Sequence, residues 1–122
     1  KSIYVFIADQ SPTVVRTVAQ FLNQKTLMFT GAEDLATRLN LPVVYLDMER
    51  LKRGRYEMTF TVITEAAGNE SPRYVTREYA RLLERDIDSN KYNWLWSHKR
   101  WKRDLTPAEE DEYTALTTGS KR

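Results

Sequence analysis

The chain has 122 residues, of which 41% are hydrophobic and 30% charged, and its formal net charge is +2. That is an ordinary globular balance, and it gives one domain's worth of chain with enough apolar material to bury a core. The absence of cysteine excludes a disulfide scaffold and thiolate metal sites, and no apolar run reaches the roughly 18 residues of a membrane-spanning helix.

In chain order, Ile3 to Ala8 form a continuous apolar run, the pattern of a strand buried on both faces. Such a strand needs neighbours and covering helices, so a piece of a larger fold is expected. DQSPT at 9–13 reads as a loop, since Pro12 prevents simple continuation of a ladder. VAQFL and TLMF, at 18–22 and 26–29, read as short strand-like or irregular runs. TGAE at 30–33 has the spacing of a capping box, with Thr30 as N-cap and Glu33 reaching back to it. Leu35, Ala36 and Leu39 then make one face of a short helix ending near Asn40.

PVVYLDM at 42–48 reads as a second buried strand. Beyond a Gly-centred turn, Tyr56, Met58, Phe60 and Val62 alternate as in a half-buried strand, which predicts a hairpin. Ser71-Pro72 marks a helix start, and Val75, Tyr79, Leu82, Leu83 and Ile87 give it one apolar stripe as far as Asn90. TPAE at 106–109 is another capping box, followed by few apolar residues. The expected class is α/β, a mixed sheet with flanking helices. Residues 1–103 form the main unit, and 104–122 an acidic, marginally helical or disordered tail.

Chemistry narrows by exclusion. The single histidine, His98, disfavours both a serine nucleophile with its base and a zinc hydrolase site, and no Gly-rich phosphate loop occurs. No metal and no cofactor are expected. His98 lies in NWLWSHKRWKR, which holds all the tryptophans (Trp94, Trp96, Trp101) among cations, and its nearest downstream carboxylate is Asp104. The segment suits a packed helix end, a lipid-surface anchor or a nucleic-acid clamp. Asp9 and Gln10 follow the first apolar run, where open α/β sheets place ligand groups, although an Asx-turn fits equally. Arg50, Lys52, Arg53 and Arg55 gather at the hairpin turn, as a solvated tip or an electrostatic dock.

FIADQSP, then FLNQKTLMFTGAEDLATRLNLPVVYLDMERLKRGRYEMTF, then WLWSHKRWK resemble the C-terminal half of bacterial lipid A biosynthesis acyltransferases, in order and spacing over about residues 3–103. These belong to the lysophospholipid acyltransferase superfamily, and the likeness is to its Bacteroides-type branch. The resemblance implies transfer of a fatty acyl group from acyl carrier protein or acyl-CoA to a hydroxyl of a lipid A precursor or related lipid. It implies a place at the cytoplasmic face of the bacterial inner membrane, and no nucleic-acid partner. In the family an H-x-x-x-x-D/E dyad supplies the general base. Here the position five after His98 is Arg103, so the dyad is expected upstream of Lys1 and the chain alone is expected to be inactive. The resemblance carries over Asp9 and Gln10 as the lining of the acceptor cleft; Arg50 and Arg53 are further substrate-binding candidates from the charge of the hairpin tip alone. It also carries over Gly31 and Glu33 as the turn and cap of a helix, and Pro42 as the entry to a strand. Trp96, His98, Arg100, Trp101 and Lys102 form the terminal motif, with a structural and surface-anchoring role. A non-catalytic module for anionic lipid or nucleic acid is the alternative.

Overall fold

The computed structural model describes residues 2–14 and 16–119. It has the α/β make-up expected, with both sheets two-stranded and antiparallel. Strand β1 (Arg16–Phe21) pairs with β2 (Gln24–Phe29), Val18 opposite Leu27 and Ala19 opposite Thr26. The two-residue turn between them holds Leu22 and Asn23 at φ of 49° and 59°. That left-handed pair matches the twist of a tight hairpin. Leucine tolerates it at a cost of about 1–2 kcal/mol, which its packing against the core offsets.

Helix α1 (Gly31–Leu39) follows directly and ends on Asn40, whose left-handed φ of 49° closes the helix. Strands β3 (Val43–Lys52) and β4 (Arg55–Thr64) form the long hairpin, turning at Gly54 with φ 72°. Helix α2 (Tyr74–Ser89) lies across both sheets, and α3 (Pro107–Thr118) packs on β1. Two apolar clusters result. One joins Ala19, Phe21 and Met28 to Ala80 and Ile87, and the other joins Ala36, Ala67 and Val75.

Several expectations are corrected. The run from Ile3 to Ala8 is not a strand; Ile3, Val5 and Ile7 are 92%, 81% and 87% exposed. No strand among the described residues lies beside it to take its ladder hydrogen bonds, and apolar composition alone cannot bury it. Phe6 alone finds an aromatic contact, tilted on Phe29 at 6.2 Å. Strand β3 is not buried throughout either: Val44, Leu46 and Met48 are about half exposed, Tyr45 is buried and Val43 is partly covered by the Ala36–Ala67–Val75 cluster. The period-two alternation of β4 is real, but its apolar side faces away from α2. Val44 opposite Val62, Leu46 opposite Phe60 and Met48 opposite Met58 form one uncovered apolar face. The reverse face holds Tyr45, whose ring meets Tyr79 edge-on at 5.7 Å and whose hydroxyl donates to Asp86 at 2.7 Å.

Neither of the first two caps forms as read. Thr30 occupies the N-cap position of α1, but its hydroxyl donates to Asp34 Oδ2 at 2.9 Å instead of accepting a backbone bond. Glu33 is buried and turns away to α2, where it accepts from the Val75 N–H and from Thr76 Oγ. Ser71 does not cap α2; the helix opens after Arg73, a residue at φ 61° with no side-chain cap. The remaining cap, the capping box at 106–109, does form, Thr106 Oγ accepting from the Glu109 N–H and Glu109 from the Thr106 N–H. No helix among the described residues is long and apolar enough to cross a membrane.

Candidate functional site

The loop at 9–13 and the segment at 94–105 are distant in sequence but meet beside β2. Ser11 makes the join. Its backbone N–H donates to His98 Nε2 at 3.2 Å, and its hydroxyl donates to the Arg100 carbonyl at 3.0 Å. Accepting that bond requires an unprotonated Nε2, so the lone pair is engaged by the loop. No carboxylate among the described residues hydrogen-bonds to His98.

Arg100 turns inward. Its side chain is buried, and Nη2 donates to the Leu27 carbonyl of β2 at 2.8 Å and also reaches Met28 Sδ. Burial pulls this guanidinium below its ordinary pKa, while Tyr79 and Asp9 nearby pull it back up. Burial pushes the Tyr79 phenol up, with Asp9 adding to the rise and Arg100 opposing it. Arg100 and Tyr79 therefore each sense the other and the Asp9 carboxylate inside the protein. They are not hydrogen-bonded to one another, and Arg100 Nε, Arg100 Nη1 and Asp9 Oδ1 are buried without any partner.

The tryptophans hold this segment down. Trp94 packs on Phe21 with ring centroids 5.6 Å apart, Trp96 Nε1 donates to the Lys91 carbonyl, and Trp101 Nε1 donates to Thr26 Oγ at 2.9 Å. Trp96 and Trp101 nonetheless keep 59% and 42% of their surface exposed, enough to meet another surface. In front of Arg100 lies a cleft of about 580 Å³, walled by Ser11, Arg16, Lys25, Trp101, Lys102 and Arg103. Much of its positive charge is already answered. Arg16 and Arg103 both hold Glu109, and Lys25 holds Glu110.

Of the residues singled out in the sequence, Asp9, His98, Arg100, Trp101 and Lys102 therefore come to one neighbourhood. Gln10 is exposed beside it. Arg50 and Arg53 stay apart at the exposed turn of the β3–β4 hairpin, with no hydrogen bond or ion pair to the cluster among the described residues. Gly31 is needed for space, since a Cβ there would fall 2.2 Å from the Phe29 ring. Pro42 is exposed, immediately before β3. Sequence reasoning did not find Ser11 or Tyr79. Tyr79 is the one hydroxyl-bearing member of the α2 stripe, and a tyrosine hydroxyl carried inward has to meet polar company.

A family model described as bacterial lipid A biosynthesis acyltransferase matches residues 2–103. No curated protein matches the chain.

Proposed function

Since the chain belongs to the bacterial lipid A biosynthesis acyltransferase family, we propose that it is the C-terminal half of an enzyme that moves a fatty acyl group from a thioester to a lipid hydroxyl. The donor is acyl carrier protein or acyl-CoA, and the acceptor a lipid A precursor or related lipid. The observation that carries this reading is the junction at Ser11, which gathers the Asp9 loop and the terminal block against one cleft.

The division of labour follows from the side chains present. Acyl transfer needs a base for the acceptor hydroxyl and a charge-stabilising environment for the thioester carbonyl as it is attacked. His98 is a poor base here, because its Nε2 lone pair already holds the Ser11 N–H and the position five beyond it is Arg103 rather than an acid. We therefore assign the histidine–carboxylate dyad to a segment preceding these residues. The Asp9 loop binds the acceptor. Trp96 and Trp101 with Lys99 and Lys102 suit the headgroup layer of an anionic leaflet, where each cation contributes about 1 kcal/mol. The reaction then takes place at the cytoplasmic face of the inner membrane.

The test is an assay of the polypeptide encoded by the complete gene, given an acyl-carrier-protein thioester and a hydroxyl-bearing lipid A precursor, with the lipid read by mass spectrometry. The expected product is heavier by one acyl chain, and residues 1–122 alone give none. Absence of transfer from any thioester by the complete protein removes the acyltransferase reading. Transfer by residues 1–122 alone removes the external dyad.

A further inference from the structure

Helix α3 carries Glu109, Glu110, Asp111 and Glu112 in its first half and no lysine or arginine along its length. It lies outside the residues 2–103 that match the acyltransferase family. A helix is ordinarily held to its domain by an apolar stripe. This one has no buried residue. Its ties to the body are mostly polar. Arg16 and Arg103 hold Glu109, and Lys25 holds Glu110. Thr17 Oγ donates to Glu112 at 2.6 Å, and the Tyr113 hydroxyl donates to Gln20 at 3.2 Å.

Arg16, Lys25 and Arg103 also stand in the wall of the cleft beside Arg100. Solvent reaches them there, with 32%, 41% and 40% of their side chains exposed. Lys102 joins them, exposed and with no hydrogen bond or ion pair among the described residues. Arg103 grips Glu109 with both Nη atoms, at 2.9 and 2.7 Å, and Arg16 Nε donates to the same carboxylate at 3.0 Å. Two guanidinium groups converging on one carboxylate suit a phosphate better, since its third oxygen and greater charge use both forks. Glu110 lines the same cleft and covers Lys25. Ion pairs between partly exposed side chains are weak and screened by salt. With no buried apolar stripe behind them, they are exchangeable.

We propose that α3 is a built-in acidic cover on a phosphate-binding cleft, its Glu109 and Glu110 occupying Arg16, Arg103 and Lys25 until a ligand's phosphate group displaces them. The phosphate belongs either to a soluble molecule or to a lipid headgroup. The three cations and Lys102 then bind it, and the hold of β1 on α3 loosens. The inference concerns binding alone and does not depend on acyl transfer.

The experiment titrates the 122-residue chain with pyrophosphate at fixed pH and ionic strength. A second arm uses phosphatidylcholine vesicles with and without phosphatidic acid. Three single variants each remove one negative charge from α3. Glu109→Gln and Glu110→Gln free the cleft cations, and glutamine still serves the capping box at position 109. Asp111→Asn is the control, since Asp111 is exposed and makes no ion pair among the described residues. Glu109→Gln is expected to bind about tenfold more tightly than the parent, and Asp111→Asn to stay within about twofold of it. Adding Arg103→Gln to Glu109→Gln should cancel the gain. In the parent, whichever probe binds should lower the protection factors of the α3 amides, because displacement is reciprocal. Amide spectra confirm folding, and Glu110→Gln against Asp111→Asn decides if the variants at 109 and 103 do not fold. This rank order with pyrophosphate supports the cover with a soluble phosphate; the same order with phosphatidic-acid vesicles only supports it with a headgroup. Equal gains in Asp111→Asn and the glutamate variants reduce the effect to net charge and overturn the cover. Binding that leaves α3 protection unchanged overturns the displacement, and no binding of either probe by any folded variant overturns the phosphate site.

Discussion

Glu33 of α1 accepts a hydrogen bond from the Val75 N–H at 3.2 Å and another from Thr76 Oγ at 2.5 Å, placing a buried carboxylate at the start of α2. The first turn of any helix has N–H groups without intrahelical partners, and its dipole favours negative charge. Arg73 precedes the helix at φ 61° and offers no side-chain acceptor. The cap of α2 is thus supplied by a different helix, 42 residues earlier in the chain.

Removing that carboxylate should therefore cost more than an ordinary cap. We expect Glu33→Ala to lower stability by about 2–3 kcal/mol, since it strands a buried N–H and a buried hydroxyl together. Glu33→Gln keeps one acceptor and should cost less than Glu33→Ala. Urea denaturation of the two variants and the parent checks the order, and an alanine variant within about 0.5 kcal/mol of the parent would remove the inter-helix cap.

The docking of α3 should depend on acid. Arg103 first, then the Thr106 N–H, with help from Arg16, hold the Glu109 carboxyl well below its ordinary value of 4.5. A carboxylate with a depressed pKa stabilises the folded form above its unfolded value and loses that contribution as pH falls toward the folded one. The protection factors of the α3 amides, measured against the unstructured-chain rate at each pH, should be flat above about pH 4.5 and fall below it. Glu109→Gln should abolish the difference. Because Arg16, Arg103 and Lys25 are partly exposed, the effect should also shrink in high salt.

His98 can be tested as a structural acceptor. His98→Ala leaves the Ser11 N–H without its protein partner, so faster exchange of that one amide is expected with a loss of about 1 kcal/mol in stability. Unchanged Ser11 exchange would show that the imidazole does not hold the loop.

The uncovered hairpin face gives a prediction of opposite sign. Leu46 and Phe60 face each other across β3 and β4 at 48% and 65% exposure, so little of their surface is withdrawn from water. Leu46→Ser with Phe60→Ser should change the stability of the isolated chain by less than about 1 kcal/mol and reduce its self-association. Sedimentation and thermal melting read the two effects separately. A large loss of stability would mean that the face is packed.

Much of the fold is legible in the sequence where a signal is local. The stripe from Val75 to Ile87 gives α2, and Gly54 with the alternation of β4 gives the long hairpin. Alternation divides a strand into two faces, however, without saying which one is covered. That depends on α2 reaching Tyr45 and on nothing among the described residues reaching Leu46. The capping signal at Thr30 misled for a related reason, because a vacant helix start elsewhere in the fold competes for Glu33. Asp9 and Arg100 stand out individually by residue type and position. Their meeting depends on Ser11, whose partner His98 lies 87 residues away, and no periodicity carries that information.

Helix α2 places Val75 in one apolar cluster and Ala80 and Ile87 in the other, so the two cores share a single spine. Neither can dissolve while the other keeps the helix intact along its length. The protein should therefore behave as one cooperative unit despite its two small separate sheets. Damage done beside α1 should be felt in the stability of the Asp9–Arg100 neighbourhood, which the first hairpin supports from the far end of that helix.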